Sequence, residues 1–145
     1  VFKIIAKEKL TPVIDCLRVE APALAKKAKA GQFVIIRVDE VGERIPLTLA
    51  DWDAKEGTIT LVAMEVGTST RKLGLLKAGD VLTNLVGPLG LPSDIEKFGT
   101  VVCVAGGVGT PEMYPLAKAM KGAGNQVISI VGARSKDLLI MEAEM

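Results

Sequence analysis

The 145-residue sequence has no histidine at all. Catalysis by a Ser–His or Cys–His pair, a histidine-ligated metal and the usual neutral-pH proton shuttle are therefore excluded. Aromatic residues are almost as scarce, and three Phe, one Trp and one Tyr leave too few rings for a base-stacking platform. An excess of either charge is missing too. The 18 Lys and Arg face 17 Asp and Glu with no long run of either, so nucleic acid and anionic membranes find no electrostatic footprint. The two cysteines, Cys16 and Cys103, lack the paired spacing of a zinc or redox motif and are expected to be reduced core residues.

Long hydrophobic runs are also absent, although apolar residues make up 49% and the mean hydropathy is +0.37. The longest uncharged stretch, Phe98 to Pro111, is too short to cross a membrane and carries four glycines. Val1 to Lys7 alternates apolar and charged residues instead of forming the apolar centre of a signal peptide. A cytoplasmic location is expected.

What is present falls into two grammars. Up to about residue 97, short alternating runs predict six strands: Phe2 to Ala6, Val13 to Glu20, Gln32 to Val38, Ile45 to Ala50, Thr58 to Met64 and Val81 to Val86. Turn residues separate them at Glu40 to Glu43, Asp51 to Gly57 and Lys77 to Asp80. With little helix between, this predicts a small six-stranded antiparallel β barrel. In the second run the apolar phase slips, with Ile14 and Cys16 on one parity and Leu17 and Val19 on the other, which predicts a bulge near Cys16. From residue 98 onward the pattern becomes α/β. Gly99 to Ala105 reads as a strand covered on both faces, followed by a glycine turn, a helix to about Ala123 and a second buried strand, Gln126 to Val131. Ser135 is a candidate N-cap for a further helix. One βαβ unit cannot cover a parallel sheet. The expectation is a complete barrel in 1–97 and the first part of a truncated α/β nucleotide-binding domain in 98–145, the front of a longer protein.

Three segments have the composition of binding sites. Gly106-Gly107-Val108-Gly109-Thr110 joins a strand to a helix N-terminus, where free N–H groups and the helix dipole favour a phosphate. The same glycines also suit a tight turn that needs positive φ. Thr110-Pro111-Glu112 reads as N-cap, first-position proline and first-turn acid, although Pro115 lies too deep for a regular start. Arg44-Ile45-Pro46-Leu47-Thr48 offers a cation, an apolar surface and a hydroxyl along one strand, and Gly67-Thr68-Ser69-Thr70 places small hydroxyl residues before a helical turn. Each alone fits a solvated strand end or a capped turn equally well.

In order, Arg-x-Pro-Leu-Thr, Gly-x-x-Thr, the Gly87-Pro88-Leu89-Gly90 turn and strand-Gly-Gly-x-Gly-Thr-helix resemble the ferredoxin-NADP reductase superfamily of flavoproteins. Within it, the likeness is to the electron-transfer subunits of dihydroorotate dehydrogenase and to the flavin-bearing small subunit of NAD-dependent ferredoxin-NADP oxidoreductase, also called sulfide dehydrogenase. Tyr114 to Lys118 and Gly132 to Leu139 share it. The resemblance implies FAD and NAD(P)H as cofactors. Arg44 would meet the flavin pyrophosphate, Pro46 and Leu47 the isoalloxazine ring, and Thr48 the N5 region as the catalytic hydroxyl. Gly67, Thr68, Ser69 and Thr70 would hold phosphate oxygens. Gly106, Gly107, Val108, Gly109 and Thr110 would meet the nicotinamide cofactor, with Arg134 at its adenosine end. Hydride would pass between nicotinamide and flavin, and single electrons would go on to an iron-sulfur centre in a missing C-terminal part or a larger partner subunit, and to a ferredoxin-like carrier. The chain departs from the pattern at Leu47, where a ring-facing aromatic is common, at Ala105, where a glycine is frequent, and at Pro111-Glu112. It also lacks the cysteine-rich cluster segment, so no metal site is expected in these residues. The alternatives are a non-enzymatic barrel that serves interactions, and a flavin-binding fragment without hydride transfer.

Overall fold

Residues 1–145 are described by a computed structural model. The strands are β1 (Phe2–Thr11), β2 (Ile14–Glu20), β3 (Phe33–Arg37), β4 (Arg44–Asp53), β5 (Thr58–Met64), β6 (Val81–Leu82), β7 (Asn84–Leu89), β8 (Thr100–Gly106) and β9 (Gln126–Gly132). The helices are α1 (Pro22–Ala25), α2 (Thr68–Leu75) and α3 (Gly109–Gly122), with a 3-10 turn at Lys136–Leu138. Turn chemistry sets the hairpins. Between β4 and β5, the Asp53 carboxylate accepts the N–H groups of Lys55 and Glu56 at 2.8 and 3.0 Å, and Gly57 takes φ +69°, a combination suited to a tight reversal.

Seven strands, not six, form the antiparallel sheet, in the order β6-β1-β2-β5-β4-β3-β7. The expected sixth strand is split at Thr83, whose hydroxyl donates to the Val38 carbonyl at 3.1 Å. Before that residue the chain pairs with β1, and after it with β3. One short segment thus bridges both edges and closes the barrel, which removes the open edges of a flat sheet. Ile4, Leu17, Val34, Ile36, Leu49 and Ile59 are fully enclosed in its interior.

The phase slip in β2 is not a bulge near Cys16. β2 pairs with β5 in unbroken register, and the irregularities lie in β1, between Ile4 and Ala6 and between Lys9 and Thr11. Leu17 and Val19 face the barrel interior, whereas Ile14 joins Ala50, Val62 and Ile140 in an apolar cluster outside it, with Cys16 packed against that cluster. The strand reads as apolar on both parities because both of its faces are covered. Ile140 arrives from the segment after β9, and here the expected helix from Ser135 is replaced by the single 3-10 turn. Ile140 instead packs on the barrel beside Ile14, Ala50 and Val62. Cys16 and Cys103 are free thiols. Burial pushes both thiols above their ordinary range, keeping them protonated.

β8 and β9 pair in parallel, from Thr100 opposite Gln126 to Gly106 opposite Gly132. Within these residues only α3 packs against the strand pair, so one face stays open, as expected of a single βαβ unit. Val102, Val104, Ile128 and Ile130 are 44–63% exposed, because α3, one helix, can shield only one face of a period-two strand pair. α3 begins at Gly109, with Val108 at the cap position, so Thr110 is not the N-cap, and the helix continues through Pro115. Gly124 ends it with φ +86°. Asn125 beside it accepts the N–H groups of Phe98 and Gly99 and donates to the Glu96 and Met120 carbonyls. No helix is long and apolar enough to cross a membrane.

Candidate functional site

Alternation along β3 and β4 sorts the motif residues. Val34 and Ile36 are fully buried, and Ile45, Leu47 and Leu49 belong to or pack against the barrel core, so Phe33, Ile35, Arg37, Arg44, Pro46 and Thr48 project outward. Strand register then pairs them in rows: Phe33 with Thr48, Ile35 with Pro46 and Arg37 with Arg44. Pro46 and Thr48 thus share the outer surface, whereas the Leu47 side chain packs inward.

This surface floors a groove of about 500 Å³ lined by Phe33, Pro46, Leu47, Thr48, Val62, Met64, Thr70, Val108 and Glu112, among others. The barrel strands form its floor, α2 supplies Thr70, and the glycine turn with the first turn of α3 supplies Val108 and Glu112. Three motifs far apart in sequence therefore meet around one apolar slot with a hydroxyl on its floor, a form suited to a planar organic ring. Glu112 is a groove residue that the sequence pattern marks only as a first-turn helix acid. Its spacing of four from Val108 on one helical face was the available signal.

At α2, Thr70 Oγ1 accepts the N–H groups of Val66 and Gly67, both at 3.0 Å, and donates to the Gly67 carbonyl at 3.1 Å. Thr70 is thereby spent on shaping the turn, and the N–H groups of Thr68 and Ser69 are left without intrahelical acceptors. Nothing lies within 4 Å of where a Cβ on Gly67 would be. The other end of α2 is clamped to the barrel. Lys7 donates to the Gly74 carbonyl, and to that of Leu76 at 2.8 Å, while its ammonium lies 3.3 Å from the buried Asp15 carboxylate. Lys9 joins the other Asp15 oxygen, at 3.2 Å, to Glu65, and that hydrogen bond from Lys9 holds the Glu65 carboxyl below its usual range. The segment from Glu65 to Leu76 is thus fixed at both ends by one charged cluster. Lys72 also reaches the β3–β4 loop, 2.7 Å from Asp39, and this contact, with the Gly42 and Val41 N–H groups, lowers the Asp39 pKa.

In the glycine turn, Gly107 takes φ +53°, and a Cβ on Gly106 would lie 3.2 Å from the Gly132 carbonyl. Gly109 has neither constraint. Its φ is not positive and nothing lies within 4 Å of a Cβ there. Close approach thus explains Gly106 and a positive φ explains Gly107, whereas Gly109 has neither reason and leaves open space at a helix N-terminus. The Thr110 side chain is fully buried and its hydroxyl has no partner, so within the turn Val108 is the side chain that meets the groove. Arg134 is exposed beyond β9, and neither it nor Arg44, Gly67, Thr68, Ser69, Gly106, Gly107, Gly109 or Thr110 lines the groove. A larger cleft, about 700 Å³, lies between Trp52, Pro92 to Glu96 and α3, but it contains none of the motif residues singled out for cofactor binding. Lys118 crosses it to Asp51 at 2.9 Å.

No model of a protein family matches the chain. Individual proteins do. The chain is 47% identical over 142 residues to a dihydroorotate dehydrogenase B (NAD(+)) electron transfer subunit homolog of Thermotoga maritima, covering 98% of this chain and 50% of that protein. It superimposes with a TM-score of 0.95 and 46% identity on a solved NADH-dependent reduced ferredoxin-NADP oxidoreductase, described in connection with flavin-based electron bifurcation, over 99% of this chain and 52% of that one. Phthalate dioxygenase reductase, at 19% identity and a TM-score of 0.79 over 99% of this chain and 45% of that one, shares the fold. The chain spans about half the length of the curated relatives it matches. By the order of its motifs, by its barrel with the appended α/β unit and by these likenesses, the chain belongs to the ferredoxin-NADP reductase superfamily.

Proposed function

We propose that this chain is the flavin-binding part of a cytoplasmic oxidoreductase electron-transfer subunit, in which FAD mediates between NAD(P)H and an iron-sulfur centre carried outside these residues, in a further C-terminal part or in a larger partner subunit. Residues 1–97 then serve as the FAD barrel and 98–145 as part of the nucleotide-binding domain. The observation that carries this reading is the groove in which Pro46, Thr48, Thr70 and Val108 converge. The open space over Gly67 and Gly109 fits it, since both positions flank the slot without an internal reason to lack a side chain.

Bound there, FAD would supply a two-electron acceptor that releases electrons singly. Pro46 offers a flat apolar surface to the ring, and the Thr48 hydroxyl can donate or accept at the ring edge as N5 changes protonation. Arg44, with no carboxylate within 4.0 Å, is free to meet a phosphate. Gly107 and Gly109 admit close approach of a nicotinamide from above, so orientation does the work that an acid or base does elsewhere. The absence of histidine is compatible with such chemistry.

The test is an absorbance titration of the protein with FAD, followed by reduction with NADH, NADPH or dithionite. FAD should bind and be reduced by a nicotinamide. Arg44→Ala should weaken FAD retention more than Thr48→Ala, which should chiefly slow flavin reduction. A folded protein that takes up no FAD would sink the proposal. Reduction by dithionite but by neither nicotinamide would reduce it to flavin binding alone.

A further inference from the structure

The outer row of β3 and β4 ends in two guanidinium groups, Arg37 directly opposite Arg44. Like charges facing each other across strands are destabilising, and here nothing neutralises them. Neither arginine has a carboxylate within 4.0 Å. Asp39, two residues beyond Arg37, is committed to Lys72. On the other side of Arg37 stands Asn84, a neutral amide whose buried oxygen has no hydrogen-bond partner. The Nε of Arg37 is itself buried without a partner. The protein thus holds a cation pair without a carboxylate partner at the end of the row that begins at the groove.

The rows also give direction. Passing from Phe33–Thr48 through Ile35–Pro46 to Arg37–Arg44, the surface changes from hydroxyl and ring, through apolar, to doubly cationic. The Lys72–Asp39 contact ties α2, with its free N-terminal N–H groups, to the loop leaving this end. An elongated ligand with an aromatic ring at one end and two linked phosphates beyond it matches that sequence of surfaces. Resting on the flavin reading above, we infer that Arg37 is a second diphosphate-binding residue, which with Arg44 brackets the two phosphates of FAD and favours the dinucleotide over flavins with one phosphate or none. Two guanidiniums side by side can each bond one phosphate through paired N–H groups, and the anion removes the repulsion that the free protein carries.

The test compares FAD, FMN and riboflavin binding by flavin fluorescence in the wild type, Arg37→Met and Arg37→Lys, with melting of the flavin-free proteins. Arg37→Met should weaken FAD by about ten- to a hundredfold, the loss of a charge-assisted contact. FMN should weaken less, and riboflavin should change less than about twofold. Arg37→Lys should recover part of the FAD affinity, and the salt dependence of FAD binding should fall in Arg37→Met. The flavin-free Arg37→Met protein should melt no lower than the wild type, because a repulsion has been removed. Wild type that binds FAD, with Arg37→Met binding it equally well, overturns the assignment of Arg37 alone. So does an equal loss for FAD and riboflavin with a lowered melting point, which would make Arg37 a structural residue. Wild type that binds none of the three flavins overturns the flavin reading, and this inference with it.

Discussion

Replacing Lys7 with methionine removes a charge from the cluster behind α2 while keeping most of the side chain's apolar stem. The Lys7 ammonium makes one ion pair, to a carboxylate only 1% exposed, and donates to two carbonyls at the C-terminal end of α2. Removing one partner of a buried pair costs about 3–5 kcal/mol, because the other charge is left in low dielectric. Lys9 still reaches the second Asp15 oxygen at 3.2 Å, so the lower end applies, about 3 kcal/mol, or roughly 9 °C in melting temperature for a chain of this size. Lys118→Met is the internal control. Its pair with Asp51 is half exposed, with side chains at 56% and 36%, and such pairs contribute about 0.5 kcal/mol. Urea denaturation followed by Trp52 fluorescence measures both variants. The double variant Lys7→Met with Asp15→Leu should recover part of the loss, since no lone buried charge remains. If Lys7→Met costs no more than Lys118→Met, the cluster does not hold α2 and the buried pair is worth no more than an exposed one.

Two further outcomes follow from the same geometry. Gly107→Ala should destabilise by about 1–2 kcal/mol, because its φ of +53° strains any residue with a Cβ, whereas Gly109→Ala should leave folding intact and slow flavin reduction by nicotinamide; equal melting temperatures for the two variants would contradict this. The Glu65 carboxyl is held below its ordinary value of 4.5, chiefly by Lys9. Its contribution to stability is therefore complete above pH 4.5 and lost as the pH falls through the lowered folded-state value. Urea midpoints measured from pH 7 to pH 3 should show this fall in the wild type and a flatter limb in Glu65→Gln, and identical limbs would refute the role of Lys9.

The parts of this protein set by near neighbours were legible in its sequence: the strands from alternation, the hairpin at Gly57, the stop at Gly124, and the ordered glycine and arginine motifs that mark the superfamily. Leu47, expected at the ring, shares its parity with Ile45 and Leu49, which pack on the barrel core. What the tertiary structure alone decided depends on which strand lies beside which. The split at Thr83 exists because two barrel edges must share one segment, and the double parity of β2 arises because Ile140 returns to cover its outer face. Likewise Arg37 stands opposite Arg44, and Glu112 reaches the groove, through a register and a helix placement that bring distant residues together. Local pattern specifies which face of an element is apolar. Only packing specifies what that face meets, because the free energy of burial is shared among residues far apart in the chain.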